Sequence, residues 1–309
     1  MYFCLNFLKL LQSNKIMAKS ALLKSSITKK YWMALTGLFL CLFLAGHLAG
    51  NLQLIFGTSK DFNEYALFMT TNPAVKILSY LTYASILFHA VDGFLLTIQN
   101  KKARPVGYAK TNASANSSFS SRNMAILGTI ILVFIATHMV NFWAKMHFDK
   151  NMPMVTKSTE GMMGIKNYQL VGTKNSPMPM FNMMTDSVFT PQLVEEITKQ
   201  TKGKYHLVKK GNQIYNKVDG ELVFEGYKDL HKLTIDFFRD SKLGLVYTLL
   251  YVLSMLVLAF HLWHGFQSAF QSLGINNKFT PTIKFVGKAF AVIVPLLFAI
   301  IPLFIHFKK

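Results

Sequence analysis

Long stretches without a charged side chain constrain this chain more than any other feature. No Asp, Glu, Lys or Arg occurs between Lys30 and Lys60, Arg122 and Lys145, Lys242 and Lys278, or Lys288 and Lys308. Each interval can hold the ~20 apolar residues that a helix needs to cross a ~30 Å hydrocarbon core. A fifth apolar stretch, from Lys76 to Asn100, is interrupted only by Asp92. The pattern predicts an all-α membrane protein: a five-helix transmembrane bundle over residues 31–53, 76–99, 123–144, 243–269 and 284–306, with an extramembrane insertion between helices three and four.

Composition narrows the class further. Hydrophobic residues make up 51% of the chain and charged residues 15%, against about 25% charged in soluble domains. A disordered chain is thereby excluded. The net charge of +19 could suggest nucleic acid, but the basic residues sit in blocks between the uncharged runs, which is a membrane pattern. Two cysteines, Cys4 and Cys41, are too few for a disulfide framework or a Cys4 iron–sulfur site. There is no Cys-x-x-Cys-His, no Gly-x-Gly-x-x-Gly and no Walker loop, so covalent c-type haem and the common nucleotide cradles are absent.

Loop charge sets the orientation. Residues 1–30 carry six Lys and no acid, the 101–122 connection carries five basic residues and no acid, and Lys278, Lys284 and Lys288 flank the last connection. By the positive-inside rule the N-terminus is expected in the cytoplasm and the C-terminus outside. Residues 1–30 then form a cytoplasmic segment, 31–144 spans one to three, 145–242 an extracytoplasmic insertion, and 243–309 spans four and five. Residues 1–16 are expected to precede a natural start at Met17. Within the insertion the first half reads as loop and Pro191–Gln200 as a short helix. Tyr205–Val208, Gln213–Asn216 and Glu221–Phe224 read as strands, joined by Lys210-Gly211-Asn212 and Asp219-Gly220 turns. Leu230, Leu233, Phe237 and Phe238 mark an amphipathic helix before span four. His206 and His231 are expected on the surface.

Intramembrane ionisable or ligating side chains are functional candidates. His47, His89 and His138 lie in spans one to three, and His261 and His264 in span four. Counted from the inner ends at ~1.5 Å per residue, His47 and His138 lie about 22–24 Å deep, while His89 and His261 lie about 15–16 Å deep. The four therefore form an outer and an inner pair. A bis-imidazole pair suits six-coordinate haem b, an electron carrier without an open iron position. Zinc would need tighter clustering of three or four ligands. Gly93 and Gly265 each follow a histidine by four residues, and Gly46 and Gly50 flank His47; small residues there leave room for a flat macrocycle or for close helix packing. A lipid-soluble quinone is the natural second carrier. Asp61 and Glu64, just past span one, are candidates for its protonation.

The segments TGLFLCLFLAGHLAGN (36–51), LFHAVDGF (87–94), LVFIATHMVNFW (132–143) and AFHLWHGFQSAFQSLGI (259–275) resemble the five-helix dihaem cytochrome b subunit of succinate dehydrogenase and fumarate reductase. The resemblance covers all five spans. It implies two haems b: a proximal one on His89 and His261, and a distal one on His47 and His138. It also implies flavoprotein and iron–sulfur subunits on the cytoplasmic face of a bacterial inner membrane, and menaquinone reacting near the distal haem. The dicarboxylate site would lie on the flavoprotein. The fourth ligand is expected at His261, whose glycine spacing repeats that of His89. Two departures stand out. The 145–242 connection is far longer than the family's, and Ala259 stands where some members carry a proton-conducting Glu. The rival readings are the cytochrome b of a hydrogenase or formate dehydrogenase, and a haem-free transporter or anchor.

Overall fold

A computed structural model describes residues 25–106, 112–149 and 228–308, with short segments at 152, 156–160, 166–170, 199, 207–210, 213–216, 220 and 222–225. Among the described residues five helices are long and apolar enough to cross a membrane: Ile27–Phe56, Pro73–Lys102, Met124–Phe148, Gly244–Ser272 and Thr280–Phe307. All five expected spans are present. Several extend a turn or more beyond the expected ends, because helix continues past the hydrocarbon-length run wherever no breaker stops it. The regular elements are α1 (Ser26–Asn51), α2 (Ser59–Thr71), α3 (Pro73–Lys102), α4 (Met124–His138), α5 (Leu230–Phe238), α6 (Gly244–Ser272) and α7 (Thr280–Phe307). The spans turn large apolar side chains outward, among them Leu42, Leu87, Val133, Leu253 and Phe285. Helices apolar on all sides are at home in lipid rather than water. The chain is a multi-pass membrane protein.

Local chemistry sets the helix ends. Thr58 and Asp61 form a capping box at the start of α2: the Asp61 amide donates to Thr58 Oγ1 at 3.2 Å, and the Thr58 amide to Asp61 Oδ2 at 3.0 Å. Asn72 ends α2 in an extended conformation, as a residue before proline prefers. Its side chain accepts from the Ala74 amide at 2.9 Å, while Pro73 opens α3 without wasting a donor. Gly274, at φ +77°, ends α6, and the Ile275 amide reaches back to the Phe270 carbonyl at 3.0 Å. Past α4, residues Met139–Ala144 form a π-helical segment entered directly from His138, and Lys145–Phe148 resume α-helix.

Chain contacts divide the described residues into two units. One comprises residues up to His47, Ile77–Leu132 and Leu253–Leu297; the other comprises Leu48–Lys76, Val133–Val252 and the residues from Phe298. In the first, Ala34, Leu127, Leu262 and Ala291 are buried. Phe266 packs on Phe290 with ring centres 5.7 Å apart, and Gly287 has no room for a side chain beside it: a Cβ there would meet the Phe266 ring at 2.5 Å. In the second unit, α5 is held on three sides. Asn63 of α2 donates to Asp229 Oδ1 at 2.8 Å and accepts from the His231 amide at 3.0 Å. Lys228 Nζ donates to the Met146 carbonyl. Arg239 Nε donates to the Ile305 carbonyl at 2.8 Å, and His306 Nδ1 to the Phe238 carbonyl at 2.7 Å.

The insertion contains a three-stranded antiparallel meander, β3 (Leu207–Lys210), β4 (Gln213–Asn216) and β5 (Leu222–Glu225), with Leu207 opposite Asn216 and a bulge at Ile214/Tyr215. The middle strand matches its expected bounds, and the outer two are each shifted towards the C-terminus. The first half differs from the expected loop: β1 (Thr156–Glu160) and β2 (Lys166–Leu170) pair antiparallel. Polar residues such as Thr, Ser and Asn give no apolar alternation by which a strand could be read. The stretches 1–24 and 191–198, with His206, lie outside the described residues. His231 departs from the surface expectation. It is half-buried and lies edge-on to Phe62, ring centres 6.0 Å apart, because Asp229 and Asn63 draw the first turn of α5 onto α2.

Candidate functional site

The inner histidines meet. His89 of α3 and His261 of α6 belong to the same unit, with ring centres 6.2 Å apart and planes at 68°. A histidine nitrogen binds a metal at ~2.0 Å and the ring centre lies about 1.1 Å behind it, so two trans imidazoles on one ion put their centres ~6.2 Å apart. The observed separation fits one metal between the two rings. Both side chains are half-buried. His261 Nδ1 is buried and lacks a hydrogen-bond partner among the described residues.

Span one shapes the His89 environment. Thr36 Oγ1 lies 3.3 Å from His89 Nδ1. The next residue, Gly37, leaves the ring its space: a Cβ there would stand 3.1 Å from His89 Cε1. Gly128 of α4 faces His261 at ordinary contact distance, with a Cβ falling 3.6 Å from its Cε1. Each glycine stands ten residues before the histidine of its own span, His47 and His138, a repeated spacing that could have marked them. The glycines four residues after a histidine, and those that flank His47, behave differently. Beside Gly93 and Gly265 the nearest neighbours are the methyl ends of Met33 and Met124, at 3.6 and 3.8 Å. A Cβ on Gly46 would meet nothing within 4 Å, whereas on Gly50 it would strike the Tyr65 ring at 2.5 Å. Gly50 therefore serves close helix packing.

The other two histidines fall in different units. His47 stacks on Phe43, one turn earlier in α1, with ring centres 5.3 Å apart. His138 lies among Phe134, Phe142 and Tyr251, with ring centres at 5.7, 5.2 and 6.0 Å. Tyr251 Oη is 3.4 Å from His138 Nδ1, and the same hydroxyl is hydrogen-bonded to the Asn141 side chain in the π-helical segment. π-Turns recur at functional positions in helices. Phe237 and Phe238 of α5 close the cluster: Phe237 stacks on Tyr247 at 4.4 Å, and Phe238 lies edge-on to Tyr251 at 5.0 Å. Among these residues only His138 was a candidate from sequence. Tyr251 and Asn141 carry a single weak signal, a polar atom inside an uncharged run.

The acidic candidates sit at the start of α2. Asp61 is exposed and its carboxylate completes the capping box, accepting also from Thr58 Oγ1 at 2.7 Å. Glu64 is exposed one turn further on. In the α5 clamp, burial pulls the His231 imidazole below its ordinary range, with Asp229 opposing the shift and Arg239 adding to it. Burial also lowers the Lys228 ammonium, against the pull of Asp149.

No family model, no curated protein and no solved structure matches this chain.

Proposed function

We propose that this chain is the membrane-anchor cytochrome b subunit of a succinate:quinone oxidoreductase, in which two bis-histidine haems b carry electrons between an iron–sulfur partner at the cytoplasmic face and menaquinone or another quinone. The observation that carries the reading is the inner pair: two histidines from separate spans, in an apolar bundle, with ring centres 6.2 Å apart. A bis-imidazole haem b, when bound, supplies one-electron transfer with no open iron position. His89 and His261 would hold the inner haem, and His47 and His138 the outer. Gly37 keeps the space in which His89 sits. Phe134, Phe142 and Tyr251 surround His138 with aromatic rings. Asp61 and Glu64, outside the apolar run of span one, are the groups proposed to exchange protons with the outer water as quinone reacts. The flavoprotein partner would hold the dicarboxylate site, and the insertion would lie on the outer face of the bacterial inner membrane.

The test is a pyridine haemochrome assay and subunit identification on the purified native complex. About two haems b per chain are expected, one per histidine pair, together with an iron–sulfur and a flavoprotein subunit. One haem per chain would break the outer pairing. A preparation without b-type absorbance would end the cytochrome reading, and a hydrogenase or formate dehydrogenase partner would move the chain to that enzyme class.

A further inference from the structure

The Thr36 hydroxyl touches His89 and is already engaged elsewhere. A hydroxyl has one hydrogen and two lone pairs. Thr36 Oγ1 donates to the Trp32 carbonyl at 2.7 Å, the ordinary bond of a helical threonine to the preceding turn. With its hydrogen spent there, the oxygen accepts from His89 Nδ1, 3.3 Å away. The Met33 backbone is a second acceptor for the same ring. His89 is therefore held with its proton on Nδ1, which leaves the lone pair on Nε2.

We infer that Thr36 is a positioning residue that holds His89 in the Nδ1-protonated tautomer and so aims its Nε2 lone pair at a metal. The inference rests on the haem reading above. The hydrogen bond that a metal-bound imidazole donates from its far nitrogen raises its basicity. A more basic ligand favours the ferric state, so the hydroxyl would lower the potential of the haem that His89 holds. The contact is long for a hydrogen bond, and the effect is correspondingly modest.

The experiment uses the purified native complex carrying Thr36→Val or Thr36→Ser, with haem content, redox titration and low-spin EPR as readouts. Thr36→Val is nearly isosteric and should retain the wild-type haem content. It should raise the potential of one haem by up to a tenfold change in its reduction equilibrium, at most ~59 mV for one electron. Thr36→Ser should restore it. An unchanged or lowered potential with wild-type haem content would overturn the inference while leaving the haem reading intact. Wild-type protein without haem would overturn both.

Discussion

Asn63 is 1% exposed, and its side chain spends both ends on the first turn of α5. Asn63→Leu keeps the branching of the side chain and removes both hydrogen bonds. One of them runs to a carboxylate, where a bond is worth ~1.5–3 kcal/mol, and the other to a neutral backbone amide, worth ~0.5–1.5 kcal/mol. Asp229 Oδ1 retains its bond from the Lys232 amide at 2.9 Å, which reduces the loss, while the His231 amide loses a buried acceptor. A net cost of about 3 kcal/mol for local opening of α5 is reasonable, roughly a 150-fold rise in the opening constant. The remaining anchors of α5, at Arg239 and His306, keep its C-terminal end in place, so the opening should be confined to the first turns. Hydrogen exchange of the α5 amides in detergent-solubilised complex measures this directly, since local opening sets their protection. Phe237 and Phe238 extend the effect to the Tyr251 and His138 cluster, so on the proposed haem reading the spectrum of the haem held by His138 should broaden and that of the other stay unchanged. Exchange rising by less than about fivefold would refute the reasoning, because one weak hydrogen bond alone is worth about that much.

Four further outcomes follow from the geometry. On the proposed haem reading, Gly37→Ala should disturb the haem held by His89, since its Cβ would stand 3.1 Å from that ring, while Gly46→Ala, with nothing within 4 Å, should leave the haem spectrum unchanged. His261→Ala should remove the inner haem, whereas His264→Ala should keep both with at most a shifted potential; haem counts on the two variants decide it, and the reverse result would transfer the ligand role to His264. Asp61→Asn together with Glu64→Gln should slow quinone turnover and leave haem content intact, because both carboxylates are exposed; steady-state assays with a soluble quinone would show unchanged turnover if they play no part. The lowered His231 pKa means that the unfolded state takes up a proton first as pH falls, so stability linked to this group is full above its unfolded pKa of about 6.5 and is lost as pH falls through the lower folded value. Exchange at the α5 amides should therefore quicken in mild acid, and an unchanged rate would dismiss the linkage.

The sequence by itself determined the membrane class and the helix count. A run such as 31–59 without a charge has few stable solutions other than a helix in lipid, where every backbone group must be satisfied within its own segment. It also determined which residues could be ligands, because an imidazole inside such a run needs a reason to be there, and helical rise is regular enough to put His89 and His261 at one level. The π-helical segment after His138, the β1–β2 hairpin and the contacts of Thr36, Gly37, Gly128 and Tyr251 with histidines on other helices were not legible. Depth along a helix follows from counting residues, but rotation about its axis and the choice of neighbour follow from packing against other helices. Thr36 touches His89 across fifty-three positions of chain, and Tyr251 touches His138 across one hundred and thirteen. Such contacts leave no periodic trace in either segment. The spacing of Gly93 and Gly265 after their histidines is regular, yet the space around His89 is kept by Gly37 on a neighbouring helix. The tertiary structure decided that, because a side chain's room is set by whichever helix faces it.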